Sequence, residues 1–515
     1  MAAVNPIIPG FAPDPSIVLI DNTFFLINSS FHLFPGLPIY ASQDLVTWRQ
    51  IGNVINRRTQ LSLSRSPTGI FALNERGDVL VGTGGLYAPT IRYRDGVVYV
   101  VCTNIIAPTG GSLEPACANF IVSTQDIWSD NWSDPVYFDF CGIDPSIFFD
   151  DDGRSYIQAS ANPGPMNKIK LFEVDLKTGQ KLSEESIIWD GTGGVNPEGP
   201  HLYKKDCCYY LVIAEGGTHK GHMVTVARSR AVFGPYEAFE GNPILTARGT
   251  DEYIQFTGHC DMFQDRAGNW WGVCLGARKD RAGRFIMGRE TFITSATWPK
   301  GGWPSLDLVT SNPQGLAHRN RTALTANSMV DLVYIRDANL DDYEILHGGR
   351  DITLNARDVD LRSSSASPTF IGKRQRQLEG VSSVLMAHPA PQSPNDVKAG
   401  LAVYKDEHRY ARIFYDTRES AVMFEVRNTA HKIHRTMTHI IEPRDSLTFR
   451  LKYTEQQYQF SYRVPETKSS AGWISIATVD TLDLTDLDFV GPVVGIFAVA
   501  AGEPTPVRFR DLEVN

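Results

Sequence analysis

The sequence predicts an all-β chain, a five-bladed β-propeller followed by a β-sandwich of the jelly-roll type. Three observations predict it. One hairpin grammar recurs five times before residue 304. Alternating strands continue beyond Met329 without that repeat. The composition, with 43 Gly, 30 Pro, 26 Phe, 19 Tyr and 9 Trp in 515 residues, favours short strands and tight turns over long helices.

Each repeat places a polar or small residue beside Pro or Gly, then an apolar strand, an acidic or Gly turn, and an aromatic strand. The first runs from Asp14-Pro-Ser-Ile-Val through Asp21-Asn-Thr to Phe24-Phe-Leu-Ile. The second pairs Ala88-Pro-Thr-Ile with Val97-Val-Tyr-Val across Asp95-Gly96, and the third pairs Asp144-Pro-Ser-Ile with Arg154-Ser-Tyr-Ile. The fourth is Glu198-Gly-Pro-His-Leu-Tyr, turning at Asp206 into Cys207-Cys-Tyr-Tyr, and the fifth is His259-Cys-Asp-Met-Phe, turning into Asn269-Trp-Trp-Gly-Val. The leading positions 14, 88, 144, 198 and 259 stand 74, 56, 54 and 61 residues apart, room for one four-stranded sheet and a long loop each. Coincidental hairpins in an ordinary sandwich are the alternative. Trp270 and Trp271 read as core.

The repeat ends near Trp303. Residues 1–310 read as the propeller, 311–328 as a polar linker, and 329–515 as the sandwich. Strands such as Leu401-Ala-Val-Tyr and Ser446-Leu-Thr-Phe belong to the second part, separated by turns such as Pro389 to Asn395.

The net charge of −9 argues against a nucleic-acid backbone or an anionic membrane as partner and suits a neutral substrate. No window approaches the roughly 18 continuous apolar residues of a membrane span. Residues 1–6 show neither the basic segment nor the apolar stretch of a secretory signal, so an intracellular chain, or a secreted one whose signal has been removed, is expected. Seven Cys without a CxxC pair argue against a disulfide framework or a zinc site; most are expected to be small buried hydrophobes. Sequons at Asn28, Asn131 and Asn320 do not decide secretion. Oligomeric state is not encoded in any motif.

First-strand residues of propeller blades converge on the axis, so Asp14, Ala88, Asp144, Glu198 and His259 are expected around one pocket. Two carboxylates flanking a sugar bond suffice for glycoside hydrolysis, one protonating the leaving oxygen and the other activating water. Asp14 and Glu198 are each braced by Pro, and Asp144 adds a third charge that would raise the pKa of Glu198. Asp before Pro is also a common turn former, which is the bland reading of each residue alone.

Asn5-Pro-Ile-Ile-Pro-Gly-Phe-Ala-Pro-Asp-Pro-Ser, Ser29-Ser-Phe, Gly85-Leu-Tyr-Ala-Pro, Gly142-Ile-Asp-Pro-Ser, Glu198-Gly-Pro-His, Ala214-Glu-Gly-Gly-Thr, Gly258-His and Gly288-Arg-Glu-Thr-Phe together resemble glycoside hydrolase family 43. Ser367-Pro-Thr-Phe-Ile-Gly-Lys-Arg-Gln and Ala399-Gly-Leu-Ala-Val-Tyr look like the concanavalin-A-like sandwich appended to β-xylosidases. The resemblance implies an inverting hydrolase, with Asp14 as general base, Glu198 as general acid and Asp144 as the residue tuning and orienting that acid. It implies pocket-wall contacts from Phe31 and Tyr87 and an Arg289 that binds sugar hydroxyls or the tuning Asp144; the alternatives are strand packing for the aromatics and a surface or blade-closing salt bridge for Arg289. His259 matches an axial His that in relatives lies at a metal or water site. No cofactor is required, and a structural calcium at the axis is the metal to look for, although calcium prefers oxygen ligands.

The architecture hosts both α-L-arabinofuranosidases and β-D-xylosidases. Related β-xylosidases carry a Trp shortly after the Asp-Pro-Ser segment, absent from Tyr156-Ile-Gln-Ala-Ser-Ala-Asn-Pro-Gly here, and Tyr87 stands where several have Trp. This tilts the expectation towards an arabinofuranosidase acting on arabinoxylan or its oligosaccharides, ahead of a β-xylosidase and of a non-catalytic sugar-binding protein. The motifs of the related sucrose- and fructan-cleaving enzymes are absent. The second domain is expected to pack on the first and lend a loop to the pocket rim.

Overall fold

The computed structural model describes residues 3–514 apart from 75–77, 109–114, 162–166, 317–323, 325–328, 388–395, 443–445 and 465–471. The Asn320 sequon, the 389–395 turn, part of the Trp-free segment after Tyr156 and most of the proposed linker lie outside the described residues. Among those described, the only helices are three short 3₁₀ turns, and no helix is long and apolar enough to cross a membrane.

Five antiparallel sheets follow one another in chain order, opened by Ser16–Ile20, Gly85–Arg94, Gly142–Phe149, Glu198–Lys205 and Ile254–Gln264. Each opening strand sits at one edge of its sheet and touches the opening strands on either side, and the fifth returns to the first. Local sequence explains how these strands start. Asp14, Ala88, Asp144 and Gly199 each precede Pro and have positive φ (53°, 38°, 56° and 57°), and His259 has φ 49° before Cys260. Proline cannot donate to a ladder, so the pairing register slips there as a β-bulge: between Tyr87 and Thr90, Ile143 and Ser146, and Glu198 and His201. The bulges also correct the repeat phase read from sequence. The fourth member of the set is Gly199, and Glu198 stands one residue ahead of it.

Beyond the bulges, second-position side chains meet in a buried network. Asp261 accepts from Ser16 (2.7 Å), Tyr203 (2.8 Å) and both Nη atoms of Arg92 (2.8 and 3.0 Å). His201 Nδ1 lies 3.0 Å from Ser146 Oγ and 3.1 Å from Arg92 Nη2. All five opening strands are thereby tied together. Burial opposes ionisation of Asp261, but Arg92, His201 and the Ser16 hydroxyl together outweigh it and hold the carboxyl well below its ordinary value.

The C-terminal part packs a seven-stranded sheet against a six-stranded one, with strands from both lining one core that includes Leu354, Phe449, Leu401 and Ile496. It is joined to the first five sheets by backbone as well as by side chains. Tyr334–Ile335 pairs with Leu33–Phe34, and Leu487–Asp488 runs parallel to Val79–Thr83. Phe11, Phe31 and Leu33 share a buried cluster with Ile335, Phe370, Tyr404 and Val490. Two glycine contacts allow this closeness: a β-carbon at Gly10 would fall 2.0 Å from the Gln375 carbonyl, and one at Gly491 2.4 Å from that of Met287.

Several expectations change. Of seven free cysteines only Cys102, Cys260 and Cys274 are buried, because Cys141 and Cys207 fall on exposed turns. Trp271 is core, whereas Trp270 is half-buried against Trp298. Asn28 is fully buried and donates to the carbonyls of Ala12 and Pro13, so its sequon is closed in the folded chain.

Replacing Asp261 by Ala leaves a largely buried guanidinium uncompensated and is expected to cost about 3–5 kcal/mol. A variant melting at the parental temperature would contradict that weight. Residues 1–320 alone would bare Phe11, Phe31 and Leu33, and are expected to aggregate and lose activity; a soluble, fully active fragment would show that the second domain is dispensable.

Candidate active site

Asp14, Asp144 and His259, all at positive φ, stand two residues ahead of Ser16, Ser146 and Asp261 of the buried network, with Glu198 beside them. Asp14 is 5% exposed and accepts from Ser29 Oγ (2.6 Å) and Arg289 Nη1 (3.2 Å). The loop bearing it is held by Glu290, which accepts from Gly10 N–H at 2.7 Å and takes a two-point contact from Arg278. Asp144 accepts from the backbone N–H of Gly199 at 3.1 Å. Burial, with the charge of Asp14 behind it, raises Asp144 to about 6 despite the opposing pull of His259.

Glu198 has a side chain 19% exposed, the most open of the three carboxylates. Burial, then Asp144 and Asp14, push its pKa well above the ordinary glutamate value, and Arg289 only partly opposes them. The strand neighbour Glu215 is fully buried and gathers the N–H groups of Thr192 and Gly194, which fixes the loop leading to Glu198. His222 stands 4.0 Å from Glu198 Oε1 through Nε2. Its Nδ1 faces the Phe256 carbonyl at 3.2 Å and must carry the proton, while burial depresses the ring to about 3 and keeps it neutral. Gly258 makes room for that ring, which a β-carbon there would meet at 2.6 Å.

Arg289 is the hinge of the electrostatics. It pairs with Asp14 rather than with Asp144, donates to Thr218 Oγ1 (3.2 Å) and the Phe489 carbonyl (3.2 Å), and leaves Nε without a hydrogen bond. Its guanidinium carbon lies 5.5 Å from the Phe31 ring centre and 5.1 Å from that of Phe489. Phe31 stacks on Phe489 (5.8 Å) and contacts Tyr87 (4.8 Å). Phe31 is 1% exposed, so packing holds it in place as the backing of the wall. Tyr87, half-buried, donates to the Thr83 carbonyl at 2.6 Å.

His259 Nδ1 is 3.9 Å from Asp14 Oδ1, and its ring packs on Gly199. Among the described residues no three His, Cys, Asp or Glu side chains converge as a metal cage, and the nearest carboxylate already holds Arg289. These side chains by themselves do not make a calcium cage.

Ser29 and Thr218 lie inside motifs already singled out, but nothing local marks them as partners of Asp14 and Arg289. His222 and Phe489 escaped the sequence reading altogether. Phe489 comes from the second domain, on the loop after Leu487–Asp488, and no periodicity or motif announces it.

The model for "Glycosyl hydrolases family 43" matches residues 3–304, and the "Beta xylosidase C-terminal Concanavalin A-like domain" matches residues 331–515. A non-reducing-end α-L-arabinofuranosidase of Bacteroides ovatus is 31% identical over 97% of this chain and 92% of its own length. A xylosidase/arabinosidase of Butyrivibrio fibrisolvens is 40% identical over 59% of this chain and 56% of its own. Among solved structures, the Bacteroides ovatus "Xyloglucan PUL GH43B" superposes with a TM-score of 0.83 at 29% identity, covering 99% of both chains. The xylan β-1,4-xylosidase of Bacillus halodurans gives 0.83 at 25% identity and covers all of both. The chain therefore belongs to glycosyl hydrolase family 43 and is a glycoside hydrolase with a concanavalin-A-like C-terminal domain.

Proposed function

We propose that the five sheets of residues 1–310 are the blades of a five-bladed propeller, joined through 311–328 to the sandwich of 329–515. On this reading its axial mouth is an inverting, exo-acting site that releases terminal pentose from arabinoxylan or its oligosaccharides, chiefly as an α-L-arabinofuranosidase. The observation that carries the reading is the contrast between two neighbouring carboxyls. Glu198 sits where burial and two like charges keep its proton on, and Asp14 sits where a guanidinium and a hydroxyl donate to it.

The mechanism follows. Glu198 protonates the glycosidic oxygen as its bond to the anomeric carbon breaks. Asp14 takes a proton from a water attacking that carbon from the opposite face, so the configuration inverts. An inverting pair works at a separation of about 6.5–9.5 Å. Asp144 keeps Glu198 protonated and, through Gly199, fixes the strand that carries it. Phe31, Tyr87 and Phe489 wall the pocket, and Arg289 steadies the Asp14 side of it.

The arabinofuranosidase reading is supported by the relative that matches nearly the whole chain and by the absence of Trp where related xylosidases close their pocket. β-D-Xylosidase activity is the second reading, favoured by the xylosidases among the relatives and solved structures.

Arabinoxylan and xylobiose assayed side by side separate the two. Arabinose with inverted configuration from the first is expected, and Glu198→Gln should lower kcat on the order of 10²–10⁴-fold. Xylose from xylobiose alone would establish the xylosidase reading, and retained configuration would overturn the mechanism. A second expectation concerns pH. Activity needs the Glu198 proton, so kcat/KM should fall as pH rises through its raised pKa. Asp144→Asn removes a like charge and should move that alkaline limb to lower pH; a limb that stays in place would remove Asp144 from the tuning role.

A further inference from the structure

The interval between Asp14 and Ala88 is the longest in the repeat, and it contains a hairpin that belongs to none of the five sheets. Thr68–Ala72 pairs with Val79–Thr83, with Gly69 opposite Gly82 and Phe71 opposite Leu80. The second domain holds it. Glu407 accepts from Thr68 N–H (2.7 Å) and Oγ1 (3.1 Å), His408 Nε2 meets the Thr68 carbonyl (3.0 Å), and Leu487–Asp488 extends the sheet.

Strand alternation puts Gly69 and Phe71 on one face, with Gly82 across from them. The Phe71 ring lies over both glycines. A β-carbon at Gly69 would meet Phe71 Cζ at 2.5 Å, and one at Gly82 would meet Phe71 Cε2 at 3.2 Å. The ring is nonetheless 55% exposed. Phe489 Cε2 reaches the same point above Gly82, at 3.4 Å. Phe489 in turn contacts Tyr87 (5.9 Å) and the Arg289 guanidinium that pairs with Asp14. An aromatic track therefore runs from the pocket wall of Phe31 and Tyr87, through Phe489, to an exposed ring at the surface.

We propose that Phe71 is a stacking platform for the saccharide chain that carries the terminal pentose. The apolar face of a sugar ring suits a flat aromatic surface, and a ring already seated on two glycines loses little freedom on binding. Continuity with the pocket wall selects the substrate's own chain as the occupant. The inference rests on the pentose-releasing reading given above and deepens it by naming where the leaving saccharide lies.

The test compares xylobiose to xylohexaose, arabinose-substituted xylotriose and xylopentaose, and the 4-nitrophenyl pentoside, which has no second sugar. For the natural chain kcat/KM should rise with backbone length. Phe71→Ala should flatten that rise, costing roughly three- to tenfold on the longest substrates, mainly through KM, and leave the nitrophenyl pentoside untouched. Phe71→Tyr should keep the rise. An equal loss on every substrate, an unchanged length dependence in Phe71→Ala, or no length dependence in the natural chain would overturn the platform. No turnover of any pentoside by the natural chain would overturn the pentose-releasing reading itself.

Discussion

The buried contact between Arg92 and Asp261 is the constraint on which the rest of the molecule depends. Five sheets arranged around an axis leave their opening strands with polar side chains pointing at one another, and buried polar groups must find partners there. Asp261 satisfies Ser16, Arg92 and Tyr203 from three other sheets, and His201 links in Ser146 from the remaining one. The hydrogen-bond network is complete only when all five sheets are in place. This network begins two residues after Asp14, Asp144 and Gly199, so the rigidity of the axis is passed to the site over that short distance.

The bulges are the second device. A proline after Ala88, Asp144 and Gly199 removes a ladder donor at each bulge, and the positive φ of these residues and of Asp14 breaks the regular alternation of side chains. At Asp14 and Asp144 the side chain is a carboxylate. At Gly199 it is absent, which brings a backbone N–H within reach of Asp144 and lets the His259 ring pack closely. Glu198, one residue earlier, keeps ordinary strand geometry and remains the carboxyl most open to solvent. The differing environments of the three acids thus trace to one local backbone feature and its one-residue offset in the fourth sheet. The neutral His222 completes the setting, since a charged imidazole so near Glu198 would favour loss of its proton.

The second domain belongs to the site as much as to the scaffold. Its buried ion network joins Lys405, Asp406, Arg409, Asp486 and Asp488, and charges so deeply placed are tolerated only when mutually paired. Asp488 sits in the short strand that pairs with Val79–Thr83, and the next residue is Phe489. The network therefore fixes an aromatic ring against Arg289 and Phe31 from a domain that supplies none of the three carboxyls. Glycines at 10, 288 and 491 allow the two backbones to approach closely enough for this to happen.

Much of this was legible in the sequence because strands and bulges are local. Period-two alternation, turn residues and the Asp-Pro-Ser and Ala-Pro-Thr segments determined the sheets, their order and three carboxyls worth testing. They also suggested the second all-β domain and its place beside the pocket. What the tertiary structure alone decided is who faces whom. The fourth bulge fell on Gly199 because its residue precedes Pro200 directly, a phase that the Glu198 alignment hid. Arg289 chose Asp14 over Asp144, His222 came to Glu198 from the next strand but one, Phe489 arrived from more than 400 residues beyond Phe31, and Cys141 and Cys207 landed outside. Strand formation is set by each residue and its near neighbours, whereas these pairings are set by ring closure and domain docking, which join residues that no window of sequence contains together.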